Sequence, residues 1–415
     1  MPRRSRRTPP ALAPLPRDPK DDSAPAPVEA RRALWTAVVG ARPEHVAGAP
    51  VPLATARGKV ENLVGYAQVP LGLAGPLKVD TSDGPRELYV PLATTEGALV
   101  ASYSRGMRLL AAGGFARSRV VREGLSQSPV LVFPSAERAL AAADVARKSR
   151  ARFAKLVATT TSHGALVRTE ARVVGRRLVL ELVFTTGDAI GINMAARAAD
   201  LCSADLAKRT RAEARYVHGE DVEKRANARA LFEGRGRSVV CEAVVPRAAL
   251  LELARTTPEA LVAIQRSYHA GFARLGTQNW LVQSANGLAA AFLALGQDVA
   301  YVTESATGFL DLEVSADGDL FAAVTLPSLL VGTVGGGTGQ GTARECLELL
   351  DCFGAGRANR LAEVLGALVL AGDLSLMAAF CAHEFVAAHE RLGRNRPEAP
   401  ARARRPSGRA RGPRA

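Results

Sequence analysis

Two acidic residues stand where the surrounding sequence is largely apolar, and a lysine in a charged loop could pair with one of them. Glu96 lies in "VPLATTEGALVASYSRG", Asp298 follows a long apolar run ending in "LGQD", and Lys224 lies in "HGEDVEKRANARALFEGRGRS". A charge near apolar surroundings costs several kcal/mol unless it is paired or protonated. Glu96 is therefore a candidate proton donor. Asp298 needs a cation, and Lys224 is a candidate partner, although most lysines are solvated surface charges.

Two turns could hold a phosphorylated ligand. "TTGDAIGINM" joins a predicted strand to a helix, and "VGTVGGGTGQGTARECLELL" places three consecutive glycines before a helix. Such turns expose backbone amides to a phosphate or a flat ligand. The alternative for the second turn is a tight bend between closely packed helices. The first turn is not GxGxxG and opens no βαβ unit, so a Rossmann domain is not predicted.

Charge is concentrated at the two ends of the chain. The 415 residues carry a net charge of +14, of which residues 1–32 hold +4 and residues 391–415 hold +8. Both ends are also rich in Pro and Ala, a composition typical of solvated, disordered tails. A basic tail could touch nucleic acid, but a solubilising role is favoured, and no nucleic-acid partner is predicted.

Cysteine usage and hydropathy predict a cytoplasmic protein. The five cysteines are scattered and form no CxxC pair, which indicates neither a disulfide framework nor a zinc site. The N-terminus lacks the apolar region of a signal peptide. The two most apolar segments, "NWLVQSANGLAAAFLALGQD" and "LAEVLGALVLAGDLSLMAAF", contain polar residues and are predicted to be buried core helices, not membrane spans.

The middle of the chain predicts a small α+β unit. A strand begins in "SPVLVF", residues 137–158 form an Ala-rich helix, and "ALVRTEARVVGRRLVLELVFTTG" alternates around a glycine as a β-hairpin does. A helix follows in "AIGINMAARAADLCSADLAKRT". Strand, helix, hairpin and helix is the content of a ferredoxin-like unit.

The rest of the chain predicts mainly helices. Residues 33–48 and 98–112 have helical patterns, and residues 61–77 are rich in loop-forming Gly and Pro. Long apolar helices are expected after the strand "RSVVCEAVVP". The predicted fold class is α+β: a large, mostly helical domain around a buried central helix, with the small ferredoxin-like domain inserted into it.

Seven segments occur in the order in which one known family has its signature segments. They are "ENLVGYAQVPLGLAGPL", "ATTEGALVAS", "TTGDAIGINM", "EGRGRSVVCEAVVP", "LGQD", "GTVGGGT" and "AGDLSLMAA". On these segments residues 60–392 resemble the catalytic portion of 3-hydroxy-3-methylglutaryl-CoA (HMG-CoA) reductases. The resemblance implies reduction of HMG-CoA to mevalonate and CoA with two NADPH, or with NADH as the alternative.

The resemblance also assigns catalytic roles. Lys224 would stabilise the negative carbonyl oxygen, Glu96 would protonate the alkoxide, and Asp298 would lie between them and hold the network. The family's final catalytic residue is a histidine that protonates the CoA thiolate. Its position falls on Glu384, and His383, one residue earlier, is the candidate here.

Further residues are implied as ligand contacts. The nicotinamide is expected near Asp188 and Asn193, and the Gly335–Gly337 turn would receive another part of the cofactor. The implied cofactor-binding residues are Asp188, Asn193, Gly335, Gly336 and Gly337. The implied substrate-binding residues are Glu61, Asn62, Ser102, Arg105, Arg225 and Asn286. Family members dimerise through the "ENLVGY" region and share sites between subunits, so a homodimer or higher homo-oligomer is expected, and no metal is implied.

The expected domain limits follow from the resemblance and the composition. They are a disordered basic tail (1–32), an N-terminal helical segment (33–60), the large domain in two parts (61–128 and 219–392), a small cofactor-binding domain (129–218) and a second disordered basic tail (393–415).

Several recognition positions depart from the family's pattern. Gln127 stands where members bind the substrate's carboxylate with an arginine, and Arg225 could supply a substitute positive charge. The other changed positions are His218, Glu223 and Gln283 in the substrate pocket and Ser162, with His163 beside it, at the cofactor's 2′-phosphate.

Three interpretations remain open on the sequence. The chain is an HMG-CoA reductase, or a reductase of the same fold for a different acyl-CoA, or a non-catalytic relative that binds through its basic tails. Overall similarity favours the first over the second. Retention of Glu96, Lys224 and Asp298 disfavours the third, because an idle site has no physical reason to keep such a charge cluster.

Overall fold

Helix α13 (Ala358–Cys381) is the buried centre of the computed structural model. Twenty of its 24 residues are buried, as expected for a helix that is apolar on all sides. Helix α3 (Leu99–Ala112) lies so close that a Cβ on Gly106 would meet the carbonyl oxygen of Ala371. By length and composition α13 could cross a membrane, but 83% of its most apolar stretch is buried inside the protein. The prediction of a buried central helix is confirmed.

The structure describes residues 24–42, 44–48, 51–220 and 222–382, together with Pro16, Asp18, Lys20 and Asp21. The other helices are α1 (Pro25–Val39), α2 (Glu44–Ala47), α4 (Ala136–Arg147), α5 (Arg150–Ala158), α6 (Ile192–Thr210), α7 (Ala228–Glu233), α8 (Arg247–Ala254), α9 (Pro258–Leu275), α10 (Ser284–Ala294), α11 (Val302–Ser305) and α12 (Gly341–Leu349). The strands are β1 (Leu71–Thr81), β2 (Gly84–Ala93), β3 (Ala116–Gln127), β4 (Val130–Val132), β5 (Leu166–Val174), β6 (Arg177–Phe184), β7 (Ala214–Tyr216), β8 (Gly236–Val245), β9 (Phe309–Val314) and β10 (Leu320–Leu329).

Strand β3 connects the sheets of the large and small domains. Residues 117–124 of β3 pair antiparallel with β8, which continues through β10 to β9. The last three residues of β3, 125–127, pair instead with β6. The β1–β2 hairpin joins the large sheet through a short parallel contact between Val79 and Ala116. A single strand therefore leads from the core around α13 into the small domain.

The small domain has the predicted ferredoxin-like form. Its four strands are antiparallel in the order β5–β6–β4–β7, and α4, α5 and α6 connect them. The single helix predicted over 137–158 is broken between α4 and α5. The hydroxyl of Ser149 donates a hydrogen bond back to the carbonyl of Val145, a local side-chain contact that competes with helix continuation.

The sheet of the large domain was not predicted. Strands β9 and β10 lie where long apolar helices were expected, because a short continuous apolar run such as "LFAAVTLPSLLV" does not distinguish a buried strand from a buried helix. The β1–β2 hairpin likewise begins inside a stretch interpreted as a loop from its Gly and Pro residues. The α+β class is confirmed, with more sheet than expected.

The N-terminal boundary also differs from the prediction. Helix α1 begins at Pro25, so the prediction of a disordered tail is wrong for residues 25–32. Val28 is fully buried, and the guanidinium of Arg31 donates to the carbonyl of Leu63. The predicted tail over 393–415, like the candidate His383, lies outside the described residues.

Candidate active site

The predicted pair of Lys224 and Asp298 is present. The Lys224 ammonium lies 3.1 Å from the Asp298 carboxylate, and both side chains are nearly half exposed. The same ammonium lies over the ring of Tyr301, 5.0 Å from its centre. The second oxygen of Asp298 accepts a hydrogen bond from the backbone of Ala300 and caps a short 3₁₀ turn. A cation is therefore held at the surface, beside an acid and an aromatic face.

Glu96 lies on the surface at the start of α3. Its backbone amide donates to the Thr94 hydroxyl, and the side-chain amide of Asn286 lies 3.5 Å from its carboxylate. The apolar neighbours that suggested a buried acid belong to α3, where Leu99 and Tyr103 point into the core. Glu96 itself is exposed and accessible to a ligand.

The two pairs are separate. In the parts of the chain that the structure describes, no hydrogen bond or ion pair connects Glu96 and Asn286 with Lys224 and Asp298. Asn286 is in the first turn of α10 and Asp298 lies beyond its last turn, and a helix of this length spans about 16 Å. Within the described residues of one chain the two pairs thus make no contact, and the expectation that Asp298 lies between Lys224 and Glu96 stays a prediction.

The three-glycine turn packs directly against the turn that precedes Asp298. A Cβ on Gly337 would lie 2.5 Å from the carbonyl oxygen of Gly296, and a Cβ on Gly296 would lie 2.6 Å from that of Gly337. Gln297 strengthens this contact, because its buried amide group both donates to and accepts from the backbone of Gly332. Sequence analysis did not single out Gln297, although it stands beside Asp298 in "LGQD".

The outer face of the same turn is open. Gly335 and Gly336 have φ values of 81° and 56°, and both are exposed. Among the backbone hydrogen bonds of the described residues, the amides of Gly335, Gly336 and Gly337 donate to none. The part of the chain that the structure describes therefore holds three amides without a backbone partner, at a turn that touches the Asp298 turn.

Asp188 connects the small domain to the large one. Its carboxylate accepts hydrogen bonds from the backbone amides of Gly356, Arg357 and Ala358 at the start of α13. Partial burial acts to raise the pKa of Asp188, but these amides, together with the nearby Arg237, hold it below its ordinary value. Both carboxylate oxygens of Asp188 thus accept hydrogen bonds from backbone amides of the protein itself. The other predicted cofactor contact, Asn193, is exposed in the first turn of α6.

We expect Gly337→Ala to destabilise the protein and to weaken NADPH binding. The new methyl group must push the Gly296 carbonyl away, an overpacking cost of about 1–3 kcal/mol, and this displaces the turn that carries Asp298. Melting temperature and NADPH fluorescence titration measure the two effects. Gly341→Ala is the control, because a Cβ there has no neighbour within 4 Å. Equal behaviour of the two variants would contradict the packing account.

The predicted substrate residues Ser102 and Arg105 bind α13. The Ser102 hydroxyl lies 3.0 Å from that of Ser375, and the Arg105 guanidinium donates to both the hydroxyl and the carbonyl of Ser375. Ser102 also lies 3.4 Å from the side-chain oxygen of Gln283. Through Ser375 on α13 and Gln283 at the start of α10, these residues connect α3 to the helix that carries Asn286. Glu61 and Asn62 lie in a turn beside the N-terminal helix.

Asp373 is a buried acid that fixes the start of α10. Its carboxylate accepts from the backbone amides of Val282 and Gln283. Complete burial raises the pKa of Asp373 from an ordinary value of 3.8 to about 7, and the two amides oppose this only partly. The helix that carries Asn286 is therefore held by a group that changes charge near neutral pH.

We expect Asp373 to make the stability of the protein fall as pH rises from about 4 to 7. In that window the folded state binds a proton that the unfolded state has lost, so the free energy of unfolding falls by up to about 1.4 kcal/mol per pH unit. Asp373→Asn removes this contribution and should flatten the curve. Urea unfolding of the wild type and the variant at several pH values measures this pH dependence. If the free energy of unfolding varies with pH equally in both proteins, Asp373 is not its source.

The region beside Lys224 carries a second, acidic network. The buried amide of Gln127 donates to Glu223 over 2.6 Å, and the Tyr301 hydroxyl donates to the other oxygen of the same carboxylate. Arg235 lies 3.6 Å from Glu223. Arg225 is exposed, and its guanidinium donates to the backbone carbonyl of Glu223. The wall predicted to receive the substrate's carboxylate therefore contains a protein carboxylate that already has partners.

The fold is that of a class of solved reductases. A structure described as class II HMG-CoA reductase from Streptococcus pneumoniae bound to NADPH in open conformations matches with a TM-score of 0.66 and 18% identity. The match covers 85% of this chain and 96% of that chain. At this identity the similarity shows the shared α+β fold.

Sequence comparison goes further. The 3-hydroxy-3-methylglutaryl-coenzyme A reductase of Methanocaldococcus jannaschii is 37% identical over 375 residues, covering 88% of this chain and 92% of the relative. That of Methanothermobacter thermautotrophicus is 38% identical over 371 residues, covering 88% and 93%. A sequence model described as hydroxymethylglutaryl-coenzyme A reductase matches residues 27–394. The chain belongs to the hydroxymethylglutaryl-coenzyme A reductase family.

Proposed function

We propose that this protein reduces the thioester of HMG-CoA to the alcohol mevalonate and releases CoA. The observation that carries the proposal is the Lys224–Asp298 ion pair, held beside the open glycine turn by the contact between Gly296 and Gly337. Membership of the reductase family supports the same reaction. The site offers a cation for a developing negative charge and, next to it, backbone donors for a phosphorylated cofactor.

Each charged residue has a separate task in this reaction. Lys224 stabilises the negative charge that develops on the thioester carbonyl oxygen, because its ammonium is oriented by Asp298 and by the Tyr301 ring. Glu96 delivers a proton to the alkoxide formed in the second reduction. Asn286, next to Glu96, donates to a substrate oxygen. His383 is the proposed proton donor to the departing CoA thiolate.

The residues present fit a dinucleotide cofactor, with NADPH as the proposed reductant and NADH as the alternative. Among the described residues, the amides of Gly335, Gly336 and Gly337 have no backbone hydrogen-bond partner. Helix α6, which carries the exposed Asn193 in its first turn, begins at the other turn. When bound, the cofactor supplies the reducing equivalents, two molecules for the four-electron change. Asp188 acts indirectly in this account, because its backbone carbonyl accepts from the amides of Thr333 and Val334, directly before the three-glycine turn.

We also propose that the site is completed by a second copy of the chain. The Glu96–Asn286 and Lys224–Asp298 pairs are exposed and separate within one chain, so a shared site would bring an acid from one subunit to a lysine of its partner. Glu61, Asn62, Ser102, Arg105 and Arg225 remain proposed substrate contacts. The proposed domain limits remain 61–128 with 219–392 for the large domain and 129–218 for the small domain. The proposed location is the cytoplasm.

One observation favours a second candidate, a reductase for an acyl-CoA without a distal carboxylate. Gln127 and Tyr301 both donate to Glu223, so this wall presents a negative charge where the carboxylate of HMG-CoA is expected. If HMG-CoA is the substrate, Arg225 must offset the negative charge of Glu223. If the substrate has no distal carboxylate, Glu223 can instead accept hydrogen bonds from a neutral head group.

Arg225→Ala separates these candidates. If HMG-CoA is the substrate, KM should rise by about tenfold or more, since a charge-assisted hydrogen bond of about 1.5–3 kcal/mol is lost. If the natural substrate has a neutral head group, its KM should change by no more than about threefold, because an exposed Arg225 without a charged partner on the substrate contributes little binding energy. Initial rates of NADPH oxidation with HMG-CoA and with neutral acyl-CoA thioesters measure both. Arg138→Ala, which removes an exposed arginine from α4 in the small domain, is the control.

A further inference from the structure

We propose that Arg235 and Glu304 are positioning residues that hold the Lys224 backbone in the conformation from which its ammonium group reaches the reacting oxygen. The proposal rests on the proposed reductase function. Neither residue was a candidate in the sequence, and neither is expected to contact the substrate, because both are buried below the surface that carries Lys224.

The backbone of Lys224 is strained. Its φ is 58°, in the left-handed region that residues with a Cβ seldom occupy and that costs about 1–2 kcal/mol. Such a conformation persists only where the surroundings hold it. The holding contact is a hydrogen bond from the Lys224 backbone amide to a carboxylate oxygen of Glu304. The side chain itself is nearly half exposed, so its contacts with Asp298 and Tyr301 orient the ammonium group but contribute little to holding the strained backbone.

Glu304 is in turn fixed by Arg235. The guanidinium donates to both oxygens of Glu304, at 2.8 and 3.0 Å, and the two side chains are 2% and 0% exposed. Arg235 is further anchored because its backbone amide donates to the Ser328 hydroxyl and its Nε to the carbonyl of Ser126. The carboxylate that receives the Lys224 amide therefore has a single orientation.

The local sequence "EGRG" directs Arg235 inward. Gly234 and Gly236 have φ values of 74° and 79°, and a Cβ on either would lie less than 3 Å from a backbone carbonyl of β10. Two glycines thus allow the chain to pass close to β10 while the guanidinium between them points to Glu304. Ordering two glycines costs conformational entropy on folding. In return, the Glu304 carboxylate is fixed as a hydrogen-bond acceptor for the Lys224 amide.

Energetics separate a positioning role from a stabilising one. Replacing a buried ion pair with apolar residues of similar volume is often neutral or stabilising. The double variant Arg235→Met/Glu304→Met should therefore keep the fold while it removes the acceptor for the Lys224 amide. Glu304→Gln keeps an oxygen for that amide and serves as the conservative variant.

We expect the double variant to lose about 10²-fold in kcat for HMG-CoA, the cost of a small misplacement of a catalytic group. KM for HMG-CoA and NADPH should change by no more than about threefold, since the affected charge develops only in the transition state. Glu304→Gln should retain at least about a third of wild-type kcat. Amide exchange of the peptide that contains Lys224 should be faster in the double variant and unchanged in Glu304→Gln.

Glu363→Met is a matched control. Glu363 is also a buried acid, and it accepts from the backbone amides of Ser82 and Val120, away from Lys224. This variant should lower the melting temperature while kcat stays within about threefold of wild type. It shows what the loss of a buried carboxylate does by itself.

Each outcome decides the proposal. A double variant that folds and keeps kcat within about threefold of wild type would overturn it. If the wild-type protein does not reduce HMG-CoA, the proposed function fails, and amide exchange then decides alone. Faster exchange at Lys224 in the double variant, but not in Glu363→Met, supports positioning, and unchanged exchange refutes it.

Discussion

Lys224→Ala should lower kcat for HMG-CoA reduction by about 10²–10³-fold, the cost typical of losing one preorganised donor to a developing oxyanion. KM should change little, because the substrate's carbonyl oxygen carries full charge only in the transition state. The pairing of Lys224 with Asp298 and its position over Tyr301 orient the cation before substrate arrives. Steady-state rates of NADPH oxidation measure the effect.

The control for this variant is Lys155→Ala, which removes an exposed lysine from α5 in the small domain. It should leave kcat unchanged, which separates loss of the reacting charge from a change in net charge. A loss of less than about tenfold for Lys224→Ala would mean that Lys224 is an ordinary surface cation.

Glu96→Gln should reduce turnover by about 10²–10⁴-fold, the usual contribution of a positioned acid or base. The amide has the same shape and can still bond to Asn286, so the site keeps its geometry, but it cannot deliver a proton to the alkoxide. Binding of HMG-CoA should survive, and isothermal titration calorimetry measures it separately from turnover.

Glu87→Gln, an exposed acid on β2, is the control for this variant and should behave as wild type. Normal turnover in Glu96→Gln would remove Glu96 from the mechanism. Loss of both turnover and binding would instead show that Glu96 acts as a substrate contact.

The sequence predicted those features that depend on local patterns. The ferredoxin-like unit follows from hydrophobic alternation around the Gly175 turn, and α3 and α13 follow from apolar periodicity and length. The Lys224–Asp298 pair was anticipated because an acid after a long apolar segment needs a cation. The family was predicted from the order of seven sequence segments, because no single charged residue is specific for one family.

Features that depend on contacts between distant segments were not predicted. Nothing local to Glu304 indicates that it binds the Lys224 amide, and nothing local to Asp373 indicates that it caps α10. Local patterns also did not indicate that, within one chain, the Glu96–Asn286 and Lys224–Asp298 pairs lie at opposite ends of α10. The predicted position of Asp298 between Lys224 and Glu96 stays a prediction. Strand β10 was missed because its apolar sequence is equally compatible with a buried helix, whereas β9 alternates between buried and exposed residues and could have been recognised.

The most direct test of the proposed function is the stoichiometry of the wild-type reaction with HMG-CoA. Purified protein is mixed with HMG-CoA and excess NADPH, and oxidised cofactor, released CoA thiol and mevalonate are quantified at completion. A four-electron thioester reduction requires two NADPH oxidised for each CoA and each mevalonate formed. Absence of mevalonate, with no NADPH oxidised above the rate without substrate, would contradict the account.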